Sequence, residues 1–141
     1  MNTDMDENPV KVILDTNIII SALGFGGKPR EILQLVLDNQ IKVITSSILL
    51  AELEDVITKK FPALSPNFER INKQIRKEFK IVKPQVSLYI VKDEDDNRVL
   101  EAAVEGKCQY IITGDKELLN LAIYKGTTII TADQFLNLLK I

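Results

Sequence analysis

The apolar residues of this chain fall into short runs that alternate between strand-like and helix-like spacing. Five runs of four or five residues, rich in β-branched side chains, predict strands at Val10–Leu14, Ile41–Thr45, Ser87–Val91, Tyr110–Thr113 and Thr127–Thr131. The stretches between them carry apolar residues at the spacing of an amphipathic helix. This alternation predicts an α/β protein, a three-layer α/β/α sandwich with a mainly parallel central sheet.

Capping residues and helix breakers set the predicted helix bounds. Gly24 ends the first helix, Phe61-Pro62 ends the third, and Gly106 closes the fifth at its C′ position. The third predicted helix is capped by Ser46 or Ser47 and runs through Thr58, and the fourth is opened by a Ser65 cap with Pro66 at its first position. The other predicted helices are Ile18–Leu23, Pro29–Asp38, Asn97–Glu105, Asp115–Tyr124 and Ala132–Leu139. The apolar excess of the second and third helices predicts either a homodimer face or burial on two sides.

The length of 141 residues predicts one domain, residues 10–141, preceded by a flexible tail of residues 1–9. The tail is polar and acidic and lacks the basic and apolar regions of a signal peptide. No apolar run approaches the ~20 residues that span a bilayer. We therefore expect a cytoplasmic protein with no membrane partner.

The chain contains no histidine and a single cysteine, Cys108. These counts exclude Ser-His-Asp and Cys-His catalysis, histidine metal sites and cysteine-based zinc sites. Catalysis would have to rest on carboxylates, Lys, Tyr, or a metal ion held by oxygen ligands. Oxygen-only sites favour Mg²⁺ or Mn²⁺ among the common catalytic metals.

Acidic residues follow several of the predicted strands. Asp15 follows "KVIL", Asp115 follows "YIIT" and one Gly, Asp133 follows "TIIT" and one Ala, and Asp96 lies in the turn after "LYIV". The carboxyl ends of parallel strands share one edge of a sheet, so these acids would meet there if the strands are neighbours. Each acid alone is typical of a helix cap, but a repeated cluster needs a cation to offset its repulsion. Glu52, one turn into the third helix, can reach the same edge.

The net charge of −2 argues against a general nucleic-acid binder, but the charge is unevenly distributed. Between Lys59 and Lys83 there are eight basic and two acidic residues, so this segment carries +6 and the remainder −8. A basic surface facing an acidic centre is suited to holding a phosphate and a metal together. A solvated helix face explains the same pattern equally well.

Four stretches in this order resemble the PIN-domain family, and most closely its single-domain toxin components of toxin–antitoxin pairs. They are "VILDTNIIISAL", "TSSILLAELEDVI", "DEDDNRVLEAAVEGKCQYIITGDKELLNL" and "GTTIITADQFLNLL", and they span almost the whole chain from Lys11 to Leu139. The resemblance implies an endoribonuclease that depends on Mg²⁺ or Mn²⁺ and has an acidic active site. It also implies an RNA substrate and a cognate antitoxin protein as partners.

The resemblance assigns site residues one by one. Asp15, Glu52, Asp96 and Asp115 match the four acids of the family, and Asp15, Asp96 and Asp115 would hold the metal. Supporting positions are matched by Asn17, Thr113, Glu117 and Asp95, the last being the alternative to Asp96 as third acid. We further expect phosphate contacts from the basic residues Arg70, Lys73, Arg76, Lys77, Lys80 and Arg98. For Arg98 the alternative is an ion pair with Asp95 or Glu94.

Two other functions compete with this prediction. A non-catalytic PIN fold that binds RNA or protein is one alternative, although all four acids are present. An acid-cluster phosphatase of the haloacid-dehalogenase type is a weaker one, because its second Asp, two residues after the first, is replaced here by Asn17.

Overall fold

The computed structural model describes residues 9–140, so the predicted tail lies outside the described residues except for Pro9. Six strands are present: β1 Lys11–Leu14, β2 Lys42–Ser46, β3 Lys80–Val82, β4 Tyr110–Ile112, β5 Ile123–Tyr124 and β6 Thr127–Ile130. The helices are α1 Thr16–Gly24, α2 Gly27–Leu37, α3 Ser47–Lys60, α4 Ser65–Glu78, α5 Glu94–Glu105, α6 Lys116–Leu121 and α7 Ala132–Leu139, with a 3₁₀ turn at Pro62–Leu64.

The strands form one sheet in the order β3-β2-β1-β4-β6-β5. Every neighbouring pair is parallel except β5–β6. Alternate residues of β1 point to opposite faces, so Val12 and Leu14 pack with α1, α2, α4 and α7, while Ile13 packs with α5 and α6. The predicted α/β sandwich with a mainly parallel sheet is confirmed.

The predicted strand Ser87–Val91 is wrong. The third strand of the sheet is β3, which sequence reasoning missed because it has only three residues and follows α4 directly. β3 pairs with the end of β2, with Ile44 opposite Lys80. Residues 83–92, which we call the strap, instead run along α5 and take their hydrogen bonds from its side chains. The backbone amides of this apolar, β-branched run therefore form hydrogen bonds with side chains of α5 and not with a neighbouring strand.

The predicted helix Asp115–Tyr124 is too long. α6 ends at Leu121, and Ala122 then adopts a positive φ of 64°. Ile123–Tyr124 reverses through Lys125 and Gly126, with φ 47° and 85°, to pair antiparallel with β6. Two consecutive residues of positive φ favour a tight hairpin, and Gly126 was the signal for it.

Several helix starts also differ from the prediction: α1 and α2 each begin two residues earlier, at Thr16 and Gly27, and the starts of α5 and α4 differ as well. α5 begins at Glu94 rather than Asn97, because Asp93 caps it by accepting a hydrogen bond from the Asp95 amide at 2.9 Å. Ser65 does not cap α4, since the 3₁₀ turn leads into the helix without an extended residue. The predicted cap of α3 is confirmed: the Ser46 hydroxyl accepts from the Leu49 amide at 3.3 Å.

Gly106 is the C-cap of α5 and not the predicted C′ residue. Its φ is −82°, and the positive φ falls on Lys107 instead. A Cβ at Gly106 would lie 2.6 Å from Cγ2 of Ile44, closer than side chains pack. Glycine therefore allows the end of α5 to approach β2 closely, which fixes the position of the helix that carries Asp96.

The apolar residues that suggested a dimer face lie mostly in the core. Ile32, Leu33 and Val36 of α2 and Leu50 and Leu53 of α3 are buried within this chain. Burial on two sides therefore explains the apolar excess of these helices. Within the described part of the chain, no helix is both long and apolar enough to cross a bilayer.

Candidate active site

The register of β1 and β4 brings two polar side chains together at the carboxyl edge of the sheet. Leu14 pairs with Ile112, so the residues that follow them, Asp15 and Thr113, are neighbours. The Thr113 hydroxyl donates to Oδ2 of Asp15 at 2.6 Å, and both side chains are buried. Asp15 precedes α1 but makes no side-chain capping hydrogen bond there. Its carboxylate is therefore held by Thr113 at the neighbouring strand end and does not act as a helix cap.

Asp115 is fixed by the same threonine. Its backbone amide donates to Oγ1 of Thr113 at 3.0 Å, and its own Oδ2 accepts from the Leu118 amide at 3.0 Å as the cap of α6. One carboxylate oxygen of Asp115 is thus engaged in capping. Thr113 joins the first and fourth predicted acids through a single hydroxyl group.

The first turn of α5 supplies the third acid. Asp96 is 7% exposed, whereas Asp95 is exposed. Repulsion from Asp115 and Asp15 acts on Asp96, while Asp95 lies beside Glu52. The helix start at Glu94 thus separates the two candidates: Asp96 faces Asp15 and Asp115, and Asp95 faces α3.

Glu52 reaches this edge from α3 and is half-buried. Thr16 is buried and lies beside the Glu52 carboxylate, where it partly opposes the rise in the pKa of that group. Thr16, for which sequence reasoning had only a capping explanation, therefore contributes to the surroundings of the predicted second acid. Its partner comes from a different helix, so no local sequence signal could reveal it.

The acids surround an open cavity of about 330 Å³. All four predicted acids line it, as do the predicted supporting residues Asn17 and Asp95. Four further residues, which sequence reasoning did not assign to the site, complete the wall: Val56, Lys60, Phe61 and Asp93. The structure therefore brings the predicted acidic centre together, with one lysine at its rim.

Burial and mutual repulsion favour the protonated forms of the innermost acids. Desolvation raises the pKa of Asp15, partly opposed by the hydrogen bond from Thr113 and by the nearby backbone amides of Thr16 and Asn17. Desolvation, together with the charges of Asp115 and Asp15, raises the pKa of Asp96 to about 8. A cluster with such raised pKa values is typical of a functional site.

Glu52 is affected in the same direction. Desolvation raises the pKa of Glu52 to about 7, with nearby Thr16 opposing this and Asp95 adding to it. A carboxylate whose pKa lies near neutrality can accept or release a proton at physiological pH.

The residues present suit a hard divalent cation. Oδ2 of Asp96 is buried and has no hydrogen-bond partner, which is costly unless another group occupies that position. The cavity offers several carboxylates, and Mg²⁺ and Mn²⁺ prefer oxygen ligands. Among residues 9–140, no three acidic, Cys or His side chains lie close enough together to hold a metal ion as they are placed. The carboxylates surround the cavity, as expected for like charges that repel one another.

Three acidic or basic residues predicted near the site have other contacts. Asp133 forms an exposed ion pair with Lys28 of α2 at 3.1 Å, so this strand-end acid does not line the cavity. Glu117 accepts a hydrogen bond from the Asp93 amide at 3.3 Å and so braces the start of α5. Arg98 pairs with buried Glu101 at 2.8 Å, rather than with Asp95 or Glu94.

The predicted phosphate contacts on and after α4 do not line the acidic cavity. Arg70 hydrogen bonds to Asn67 within α4 and lines a separate groove with Arg30. The remaining predicted residues are exposed: Lys73, Arg76, Lys77 and Lys80. Among residues 9–140, Lys60 is the basic residue that lines the cavity.

Side chains of α5 hold the strap on the helix. Oδ1 of buried Asn97 accepts from the Ile90 and Val91 amides at 2.9 and 3.0 Å, and its Nδ2 donates to the Val91 carbonyl at 2.8 Å. Glu101 accepts from the Leu88 amide at 2.8 Å. These contacts fix the residues that lead into Asp93 and the first turn of α5. Sequence reasoning missed them because it assigned the same residues to a strand.

Comparisons with known proteins agree with this architecture. The model of the PIN domain family matches residues 11–117. An uncharacterised protein, MJ1680 of Methanocaldococcus jannaschii, is 34% identical over 131 residues, covering 83% of this chain and 78% of its own. The crystal structure of VapBC2 from Rickettsia felis, bound to a DNA fragment from its promoter, matches with a TM-score of 0.61 at 17% identity, covering 85% of this chain and 97% of that one.

Proposed function

Because this chain belongs to the PIN-domain family, we propose that it is an endoribonuclease that hydrolyses RNA phosphodiester bonds and depends on Mg²⁺ or Mn²⁺. The observation that carries the proposal is the cavity at the sheet edge, where Asp15, Glu52, Asp96 and Asp115 lie together. The unpartnered, buried oxygen of Asp96 supports a cation there. The chain has no histidine, and carboxylates are the most numerous acid–base groups that line the cavity.

The proposed roles follow from the surroundings of each acid. Asp15, Asp96 and Asp115 hold the divalent cation, and Thr113 keeps Asp15 in place through its hydrogen bond. A cation held by these carboxylates would stabilise negative charge on the phosphate and lower the pKa of water. Glu52, whose pKa is raised to about 7, accepts the proton of the attacking water at its carboxylate oxygen.

Two other residues assist in this proposal. Asn17 lines the cavity and is exposed, so its amide is available to orient a phosphate or water. Lys60, at the rim, supplies positive charge for the phosphate next to the scissile one. These contacts position the RNA backbone and carry no sequence information.

Cleavage of a labelled single-stranded RNA in Mn²⁺ tests the proposal. Asp115→Asn should lower the rate at least about 100-fold, because even outer-shell partners of a metal contribute 10- to 100-fold. Asp133→Asn is the matched control, since Asp133 also follows a strand but pairs with Lys28 outside the cavity.

Asp115→Asn that cleaves at the wild-type rate would contradict the assigned role. Wild-type protein that binds RNA but does not cleave it in Mg²⁺ or Mn²⁺ would favour the non-catalytic alternative.

We further propose that the protein acts in the cytoplasm as the toxin of a toxin–antitoxin pair, which is what the family resemblance implies. A protein antitoxin would then cover the acidic cavity. We also predict that the chain forms a homodimer. Expression of the wild-type chain should arrest growth, and Asp15→Asn or co-expression of the neighbouring reading frame should relieve it. Harmless expression of an active nuclease would contradict the toxin role and leave the nuclease function standing.

A further inference from the structure

The strap, residues 83–92, carries an exposed apolar surface that the proposed reaction does not use. The side chains of Val86, Tyr89 and Ile90 are 56%, 81% and 44% exposed. Almost the whole ring of Tyr89 therefore faces solvent. Neighbouring apolar side chains exposed on one segment indicate an interaction surface more often than isolated ones do.

The backbone beneath this surface is held rigidly. Both backbone groups of Leu88 are hydrogen-bonded. Its amide donates to Glu101, and its carbonyl accepts from Arg98 at 3.2 Å. Asn97 binds both the amide and the carbonyl of Val91. Tyr89 lies between these two fixed peptides, so its backbone has little freedom to lose when a ligand binds.

The strap itself carries two exposed lysines, Lys83 and Lys92, and no acidic residue. Acids begin directly after it, at Asp93 and Glu94, so the positive charge is confined to the strap. The two lysines can contact phosphates of a strand that runs along the strap, whereas a second copy would bring the same lysines against one another.

The strap leads directly to the acidic cavity. Asp93, which follows Lys92, lines the cavity. Three residues separate Tyr89 from Asp93, so their Cα atoms lie at most about 14 Å apart. A nucleic-acid strand whose phosphate lies at the acids can therefore place a nearby base against Tyr89.

We propose that the strap is a binding subsite for single-stranded RNA beside the acidic cavity. Tyr89 stacks on a nucleobase, and Lys83 and Lys92 contact the adjoining phosphates. This inference rests on the proposed function for the choice of RNA. Because every base has a face that stacks on an aromatic ring, the subsite contributes affinity with little sequence preference.

Fluorescence anisotropy with a labelled single-stranded RNA oligonucleotide tests this subsite. EDTA is present throughout, so that binding is measured without cleavage. Tyr89→Ala should raise Kd about tenfold, whereas Tyr89→Phe should retain the wild-type Kd because stacking needs only the ring. Phe25→Ala is the matched control, since Phe25 is 76% exposed in the turn between α1 and α2. Lys92→Ala should reduce the slope of log Kd against log salt concentration by about 0.7.

An unchanged Kd for Tyr89→Ala, or no RNA binding by the wild type, overturns the proposal. A change in oligomeric mass for Tyr89→Ala with unchanged RNA binding also overturns it, because a second copy would then cover the strap. Wild-type protein that binds RNA through Tyr89 yet fails to cleave contradicts the proposed nuclease and leaves the subsite standing. If the wild type cleaves RNA and Tyr89→Ala binds RNA normally, the subsite is contradicted and the proposed nuclease function stands.

Discussion

At the scale of single residues, Thr113 and Thr16 determine how the acids are presented. The Thr113 hydroxyl donates to Asp15 and accepts from the Asp115 amide, so one side chain joins two strand ends. Thr16 lies beside Glu52, which comes from another helix. These contacts favour the charged form of Asp15 and Glu52 and partly oppose the desolvation that raises the pKa of both carboxyls.

The raised pKa values predict that the metal-free protein loses stability as the pH rises. In the unfolded chain Asp96 and Glu52 ionise near pH 4, but in the folded chain their pKa values are about 8 and 7. The folded state then binds more protons between these values, so the free energy of unfolding falls from about pH 4 to pH 8. Thermal melts in EDTA across this range measure the effect.

Asp96→Asn isolates the contribution of one group. The neutral amide has no charge to bury, so this variant should melt about 3 °C above the wild type at pH 8, with a flatter pH dependence. The difference should disappear below about pH 3, where Asp96 is protonated in both states. Parallel pH dependences for the two proteins would show that Asp96 ionises without hindrance.

Some of these residues could be assigned to the site from the sequence and others could not. Asp15 and Asp115 were predictable because each follows an apolar, β-branched run, and the ends of parallel strands meet. Thr16 was not, since its partner Glu52 is 36 positions away and reaches it only through the packing of α3 on α1. Asp133 was expected at the same edge because it also follows a strand, but it forms an ion pair with Lys28 outside the cavity.

At the scale of elements, the strap and α5 act as one unit. Three hydrogen bonds from Asn97 and one from Glu101 replace the ladder of a neighbouring strand. The apolar run of the strap was therefore wrongly assigned to the sheet, and the backbone bends at Ile90 and Val91. Apolar, β-branched composition does not show which groups satisfy the backbone hydrogen bonds of a segment.

Asn97→Ala should release the strap. The change removes three hydrogen bonds to partly buried backbone groups, so we expect a loss of about 2 kcal/mol in the free energy of unfolding. Hydrogen exchange at the Ile90 and Val91 amides should become faster than exchange in the sheet. Asn137→Ala, on an exposed position of α7, is the control. Unchanged exchange at Ile90 and Val91 would mean that other contacts hold the strap.

At the scale of the whole molecule, the sheet order explains the separation of charge. β1 lies at the centre between β2 and β4, so the residues that follow β1 and β4 meet, and α3 and α5 bring acids to them from the two faces of the sheet. The excess of basic residues lies on α4 and the strap, outside the acidic cavity. The alternation of elements predicted the sandwich, but no local pattern could predict which strands are neighbours.

The central claim is that the acids at this edge bind a divalent cation. Titration of the metal-free protein with Mn²⁺, followed by calorimetry at neutral pH, tests it most directly. We predict that the wild type and Asp133→Asn bind Mn²⁺ with the same Kd and that Asp96→Asn binds at least about tenfold more weakly. No binding by the wild type, or equal binding by Asp96→Asn, would contradict the claim.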